Sequence, residues 1–341
     1  MPRTKLTRIH AEVDFEKDGV QHGFLRLFHS THASAYGFIP IPIVVIRNGS
    51  GPTALLVSGT HGDEYEGQVA LCNLTKSLRP ERIRGRVIVL PAANFPAAVA
   101  GRRVSPIDDV NLNRAFPGDP NGTVTQQIAY YIEHELIPLA DIVCDLHSGG
   151  SSLEYVPSVL TRRVPDDAWF AKHRAALEAF GAPHAYISSS PPGQGADNTL
   201  SGGAERKGVL ALGTELGGAG RVSPAAVEMG ERGINNVLVH VGILPARDRI
   251  TPPGPTRVLD VGGEDYFVYA SEAGLFEPRV ELGDMVRAGQ PAARIHSPET
   301  PWAPALEAHF RRDGFVLCKR IPGRVVRGDC LFHLGTDAAP A

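Results

Sequence analysis

The sequence is poor in cysteine and has no long apolar run. Its four cysteines, Cys72, Cys144, Cys318 and Cys330, are widely spaced and form no CxxC pair. That excludes a disulfide scaffold and the thiolate metal motifs, and the four read as reduced residues of the core. No stretch approaches the roughly 20 apolar residues that cross a bilayer. The first residues, Met1-Pro-Arg-Thr-Lys-Leu, lack the apolar segment of a signal peptide. The cytoplasm is therefore the expected location. An excess of one charge is also missing: the formal net charge is −3 over 341 residues. No broad basic surface is available for nucleic acid or an anionic membrane, so a small molecule is the expected partner.

What is present is an ordinary globular composition, 43% hydrophobic and 21% charged. The chain is too long for one average core, so two domains are expected. Residues 41–47 and 53–58 are β-branched apolar runs around the turn Asn48-Gly49-Ser50-Gly51, which reads as a hairpin. Residues 66–78 have helical spacing, 86–91 read as a buried strand, 125–139 as a helix and 141–146 as a strand. Helices follow at 168–180 and 224–241, with a strand at 209–212 between them. Short strands alternating with long helices imply an α/β fold, a mixed and mostly parallel sheet flanked by helices. Residues 188–208 are rich in Ser, Pro and Gly and read as a long loop, of a kind that is usually functional or mobile. Residues 245–255 read as a proline-rich linker. Short apolar alternations with frequent glycines then predict a small C-terminal β domain. The expected division is 1–250 and 256–337. The apolar β domain points to a homo-oligomer.

Three polar, glycine-flanked phrases close predicted strands: Gly59-Thr-His61-Gly-Asp-Glu64, Asp145-Leu-His147-Ser-Gly-Gly150 and Gly213-Thr-Glu215-Leu-Gly-Gly218. In an open α/β sheet, ligands bind beyond the carboxyl ends of the strands. His61 and Glu64 share a face if a helical turn begins there. With His147 they make a His₂Glu set, which binds zinc and leaves a position for water. An HxxE pair alone is common by chance; the conjunction at strand ends carries the reading. One Zn2+ per chain is expected. Glu215 is the candidate general base, against a bland reading as a helix N-terminal carboxylate. Asp145 reads either as a partner orienting a ligating imidazole or as a solvated strand-end carboxylate. The segment from Arg102 to Arg114 reads either as a carboxylate clamp or as a surface loop with ordinary ion pairs.

His61-xx-Glu64, Asn111-Leu-Asn113-Arg114, Asp145-Leu-His147 and Gly213-Thr-Glu215, in this order, resemble the succinylglutamate desuccinylase/aspartoacylase family of the zinc carboxypeptidase superfamily. The likeness covers residues of about 50 to 220. It implies an N-acyl amino acid deacylase with zinc on His61, Glu64 and His147 and Glu215 as base. Asn113 and Arg114 would grip the substrate carboxylate. An upstream arginine, Arg103 or Arg102, would face the oxyanion. The phrases His-Gly-Asp-Glu-Tyr-Glu-Gly, Ser-Pro-Ile-Asp and Thr-Glu-Leu-Gly-Gly look most like the branch that deacetylates Nα-acetyl-L-2,4-diaminobutyrate in ectoine degradation. Aspartoacylase-type or desuccinylase-type deacylation and metallocarboxypeptidase activity are the alternatives. Asp63, Asp197 and Glu205 are the carboxylates available to a cationic side chain.

Overall fold

The computed structural model describes residues 7–189 and 196–339. Part of the expected 188–208 loop, residues 190–195, lies outside them. The strands of the first 250 residues are β1 (Ile9–Ala11), β2 (Gly19–Phe28), β3 (Phe38–Asn48), β4 (Thr53–Ser58), β5 (Gly85–Leu90), β6 (Ile142–His147), β7 (Leu153–Tyr155), β8 (Ser158–Arg162), β9 (His184–Ser188) and β10 (Leu210–Glu215). The helices are α1 (Tyr65–Ser77), α2 (Phe95–Ala100), α3 (Val124–Tyr131), α4 (Asp167–Phe180), α5 (Leu200–Arg206) and α6 (Pro224–His240). No helix among the described residues is long and apolar enough to cross a membrane.

The fold is mixed α/β, as expected. Strands β5, β4, β6 and β10 lie side by side and parallel at the centre of the sheet. They are fully or nearly fully buried because both faces are covered. Alternation along each strand divides the core. Leu56, Val87, Cys144 and Leu212 pack against α1, α4 and α6. Leu55, Val57, Ile88 and Val143 pack on the other side, against α3 and α5. Cys144 and Cys318 are buried core residues as expected, whereas Cys72 is exposed; all four thiols are free.

Residues 41–47 and 53–58 do not form the expected hairpin. β3 pairs antiparallel with β5, and β4 lies beyond β5, parallel to it. Uniformly apolar strands carry no alternation that would identify their neighbours, so the turn at Asn48–Gly51 does not by itself imply local pairing. The expected 188–208 loop contains α5, capped by Thr199, whose side chain accepts from the Gly202 amide at 3.0 Å. Gly202 and Gly203 are poor helix formers but are buried here. A Cβ at Gly203 would stand 2.8 Å from Glu133 Oε2, so tertiary contact overrides propensity. Residues 245–255 are not loose either. The Asn236 side chain, buried on α6, makes two 2.8 Å hydrogen bonds to the Ile250 backbone.

Beyond residue 256 come β11 (Arg257–Val261), β12 (Phe267–Tyr269), β13 (Gly274–Pro278), β14 (Met285–Val286), β15 (Pro291–His296), β16 (Leu306–His309), β17 (Gly314–Arg320), β18 (Arg324–Val325) and β19 (Cys330–Asp337). Strands β16, β15, β13 and β18 form a small separate sheet. The others join the large one. β11 pairs parallel with β9 and antiparallel with β19, and β7 pairs with β17. The C-terminal strands thus reach the carboxyl-end loops of the central sheet.

Candidate metal centre and its cavity

His147 is the last residue of β6 and Glu215 the last of β10, and the two are register partners. His61 follows β4 through a bend that begins at Gly59, whose φ is +64°. The expected helical turn at His61–Glu64 is absent. Glu64 is the extended N-cap of α1, with φ −108° and ψ 100°, and the helix begins at Tyr65. The tight bend, not helical periodicity, brings the two side chains together. Gly62 makes it possible: a Cβ there would lie 2.0 Å from the Ala97 carbonyl carbon.

The Glu64 carboxylate sits between both imidazoles. Oε1 is 2.7 Å from His61 Nδ1, and Oε2 is 2.8 Å from His147 Nδ1. Oε2 also accepts from the Ser148 amide at 3.2 Å. The outward ring nitrogens are held as well. His61 Nε2 is 3.0 Å from Asn111 Oδ1, and His147 Nε2 is 2.7 Å from Asp145 Oδ2. Asp145 is buried rather than solvated, and Thr60 Oγ1 donates to its other oxygen at 2.8 Å. Both rings are thereby fixed in orientation with Nδ1 facing inward, the arrangement by which outer partners orient metal-binding histidines. One donor atom from each of His61, Glu64 and His147 lies within 4.8 Å of the others, so the three can hold a metal ion.

The electrostatics are those of a concentrated charge cluster. Burial favours the neutral acid at Glu64, but the charges of His61 and His147 win and hold its carboxyl far below the usual range. Burial works against the charged ring of His147, but Asp145 and Glu64 raise its pKa well above the ordinary value. Glu215 differs. Burial, reinforced by the nearby Glu64 charge, pushes its carboxyl up to about 8. Its Oε2 has no hydrogen-bond partner among the described residues.

Arg103 Nη1 donates to Glu64 Oε1 at 3.3 Å and lines the cavity. Arg102 instead lies 3.6 Å from Asp109 on the surface. Asn113 and Arg114 also reach the cavity. Asn113 Oδ1 accepts from the Leu200 amide at 3.0 Å, and its amide nitrogen lies at the cavity wall 3.2 Å from His147 Nε2. Burial and the neighbouring Arg103 charge lower the Arg114 pKa. His61, Glu64, His147, Glu215, Arg103, Asn113 and Arg114 therefore meet in one cavity of about 310 Å³. The three carboxylates considered for a cationic side chain do not line it. Asp63 accepts from the Ser151 amide and hydroxyl, and Asp197 and Glu205 are paired with Arg162.

The sequence did not announce the rest of the wall: Tyr155, Arg162, Tyr186, Phe267 and His333. These stand on β7, β8, β9, β12 and β19, far apart in sequence and without a motif. The one available signal was a histidine inside the apolar run Cys330-Leu-Phe-His333-Leu.

Residues 50–241 match the family model of the succinylglutamate desuccinylase/aspartoacylase catalytic domain. The chain is 44% identical over 326 residues to an N-alpha-acetyl-L-2,4-diaminobutyric acid deacetylase of Halomonas elongata, covering 95% of this chain and 93% of that protein. Among solved structures, the product-bound ectoine utilization protein EutE (DoeB) of Ruegeria pomeroyi superposes with a TM-score of 0.92 at 40% identity, covering 97% of this chain and 99% of that one. A succinylglutamate desuccinylase/aspartoacylase of Rhodobacter sphaeroides gives 0.91 at 43% identity, covering 97% and 100%. The metal-competent cluster lies within the matched region, and the chain belongs to the succinylglutamate desuccinylase/aspartoacylase family, as a hydrolase acting on an N-acyl amino acid.

Proposed function

We propose that the protein is a zinc-dependent deacetylase of Nα-acetyl-L-2,4-diaminobutyrate, acting in ectoine degradation. The carrying observation is local: a Glu64 carboxylate between two inward Nδ1 atoms, beside the unpartnered Glu215 Oε2. Two imidazoles and one carboxylate match the donor set that hydrolytic zinc sites use. His61, Glu64 and His147 are the residues that would hold the ion. Bound zinc supplies Lewis acidity toward the acyl carbonyl and an activated water with a pKa near about 7.

The chain's own groups supply the remainder. Glu215 Oε2 accepts the proton of the attacking water and returns it to the departing amine. Burial and the Glu64 charge raise this carboxyl in the metal-free fold, and the charge of a bound zinc would draw it back toward the proton-accepting form. The Arg103 guanidinium faces the charge that develops on the acyl oxygen. Arg114 and the Asn113 amide bind the α-carboxylate. The cavity walls contributed by β12 and β19 limit its length, which favours a short acyl amino acid over a peptide.

The experiment offers zinc-loaded protein Nα-acetyl-diaminobutyrate, acetylaspartate and a blocked dipeptide side by side. The highest kcat/KM is expected on acetyl-diaminobutyrate. Faster cleavage of the dipeptide would overturn the assignment.

A further inference from the structure

The cavity extends past the metal cluster to a wall built around His333 of β19. That residue lines the cavity with Phe267 of β12, Tyr155 of β7 and Tyr186 of β9. It is 5% exposed, and neither ring nitrogen has a hydrogen-bond partner among the described residues. Phe267 stacks on its face at 4.4 Å with the planes 7° apart. Tyr155 and Tyr186 stand nearly perpendicular to it, with ring centroids 5.9 and 6.0 Å away. Burial pushes the ring's pKa down to about 3, so it is neutral and offers one N–H and one lone pair. Buried His173, by contrast, is anchored to the Trp169 carbonyl at 3.0 Å. Leaving both nitrogens of a buried ring unmatched is costly unless something in the cavity meets them.

The molecule that meets the acceptor nitrogen is constrained by its other end. Arg103 and Arg114 stand on the segment beside Glu64 and are committed to the acyl oxygen and the α-carboxylate. The side chain of the amino acid is the part left to run toward His333. An acidic side chain would need a free cation there. The cavity's third guanidinium, Arg162, already holds Glu205 at 3.1 Å and Asp197 at 3.3 Å. Aromatic walls carry negative faces and suit a cation.

We propose that His333 determines specificity by accepting a hydrogen bond from an ammonium at the end of the substrate's short side chain, with Tyr155, Tyr186 and Phe267 packing around the methylenes. This rests on the N-acyl amino acid reading above. The C-terminal strands then select the substrate, while the central sheet carries the hydrolysis.

The test compares Nα-acetyl-diaminobutyrate with N-acetylnorvaline, in which a methyl replaces the ammonium. A hydrogen bond to a charged group corresponds to roughly a ten- to hundredfold preference in kcat/KM. His333→Phe is expected to abolish that preference by raising KM for the amine substrate alone, with N-acetylnorvaline unchanged. His333→Gln, which keeps an acceptor, is expected to restore part of it. Equal loss on both substrates, or a preference that survives in His333→Phe, overturns the proposal. Calorimetric binding of free diaminobutyrate and norvaline to the same proteins separates the two readings. If the parent hydrolyses neither acetyl compound, the proposed reaction fails, and the binding preference alone decides the role of His333.

Discussion

Glu215 and His147 end adjacent parallel strands as register partners, so their side chains leave the sheet on the same side. His147 belongs to a cluster of donors that could hold a metal ion, and Glu215 keeps a carboxylate oxygen without a hydrogen-bond partner among the described residues. In the proposed reaction this pairing separates metal binding from proton transfer. Glu215→Gln removes the proton acceptor while keeping the shape. The expected outcome is a fall in kcat of about 10²- to 10⁴-fold with the metal content per chain unchanged. Steady-state kinetics and elemental analysis on the same preparation check it. Loss of metal together with activity would place Glu215 among the ligands instead.

Asp145 touches His147 Nε2 at 2.7 Å, on the side of the ring away from Glu64. Its role is to orient the ring and raise its basicity. Asp145→Asn is expected to weaken metal affinity about ten- to a hundredfold, with activity recovered at saturating metal. Competition with a chromogenic chelator measures the affinity. Unchanged affinity would leave Asp145 with only its bond to Thr60.

The central sheet was legible because parallel strands buried on both faces read as unbroken apolar runs. Residues 53–58 are a strand with the expected bounds, and Glu215 and His147 close strands as their glycine-flanked phrases implied. The order of strands was not legible. Nothing in residues 41–58 records that β5 inserts between β3 and β4, because pairing is decided by the whole sheet. The metal cluster could be read because its donors sit in short motifs. The His333 wall could not, because its residues are brought together by the pairing of β7 with β17 and of β12 and β17 with β19. That is information spread from Tyr155 to His333 with no local signature. Asp145 is intermediate: its sequence position suggested both a buried partner and a solvated carboxylate, and only packing chose between them.

Asn236 shows how a segment that looks like a linker becomes fixed. Its side chain both donates to and accepts from the Ile250 backbone. Asn236→Ala removes both hydrogen bonds that tie the Ile250 backbone to α6. A loss of about 1–3 kcal/mol is expected, read as a lower denaturation midpoint with an unchanged slope. A loss below about 0.5 kcal/mol would mean that water replaces the side chain at no cost.

The protonation pattern of the cluster predicts how metal removal interacts with pH. Burial and the Glu64 charge raise Glu215 to about 8, above the carboxylate's unfolded value of about 4.3. The charges of Asp145 and Glu64, overcoming burial, raise His147 well above its unfolded value of about 6.5. Both groups bind their proton more tightly when folded. Their joint contribution to the stability of the metal-free protein is therefore present in mild acid and is lost as pH rises. For Glu215 the loss runs from about 4.3 up to about 8, and for His147 it begins near 6.5 and continues through its raised folded value. Glu64 has the opposite sign. Its depressed carboxyl stabilises the fold above about 4.3 and fails only as pH falls below that, outside the window tested. Metal binding needs the His147 proton gone, so it gains where the metal-free protein loses. The difference in Tm between zinc-loaded and chelator-treated protein is expected to widen steadily from pH 6 to pH 9. Scanning calorimetry at four pH values with matched ionic strength decides the matter. A gap that stays constant or narrows toward pH 9 would mean that His147 and Glu215 are not protonated in the metal-free fold.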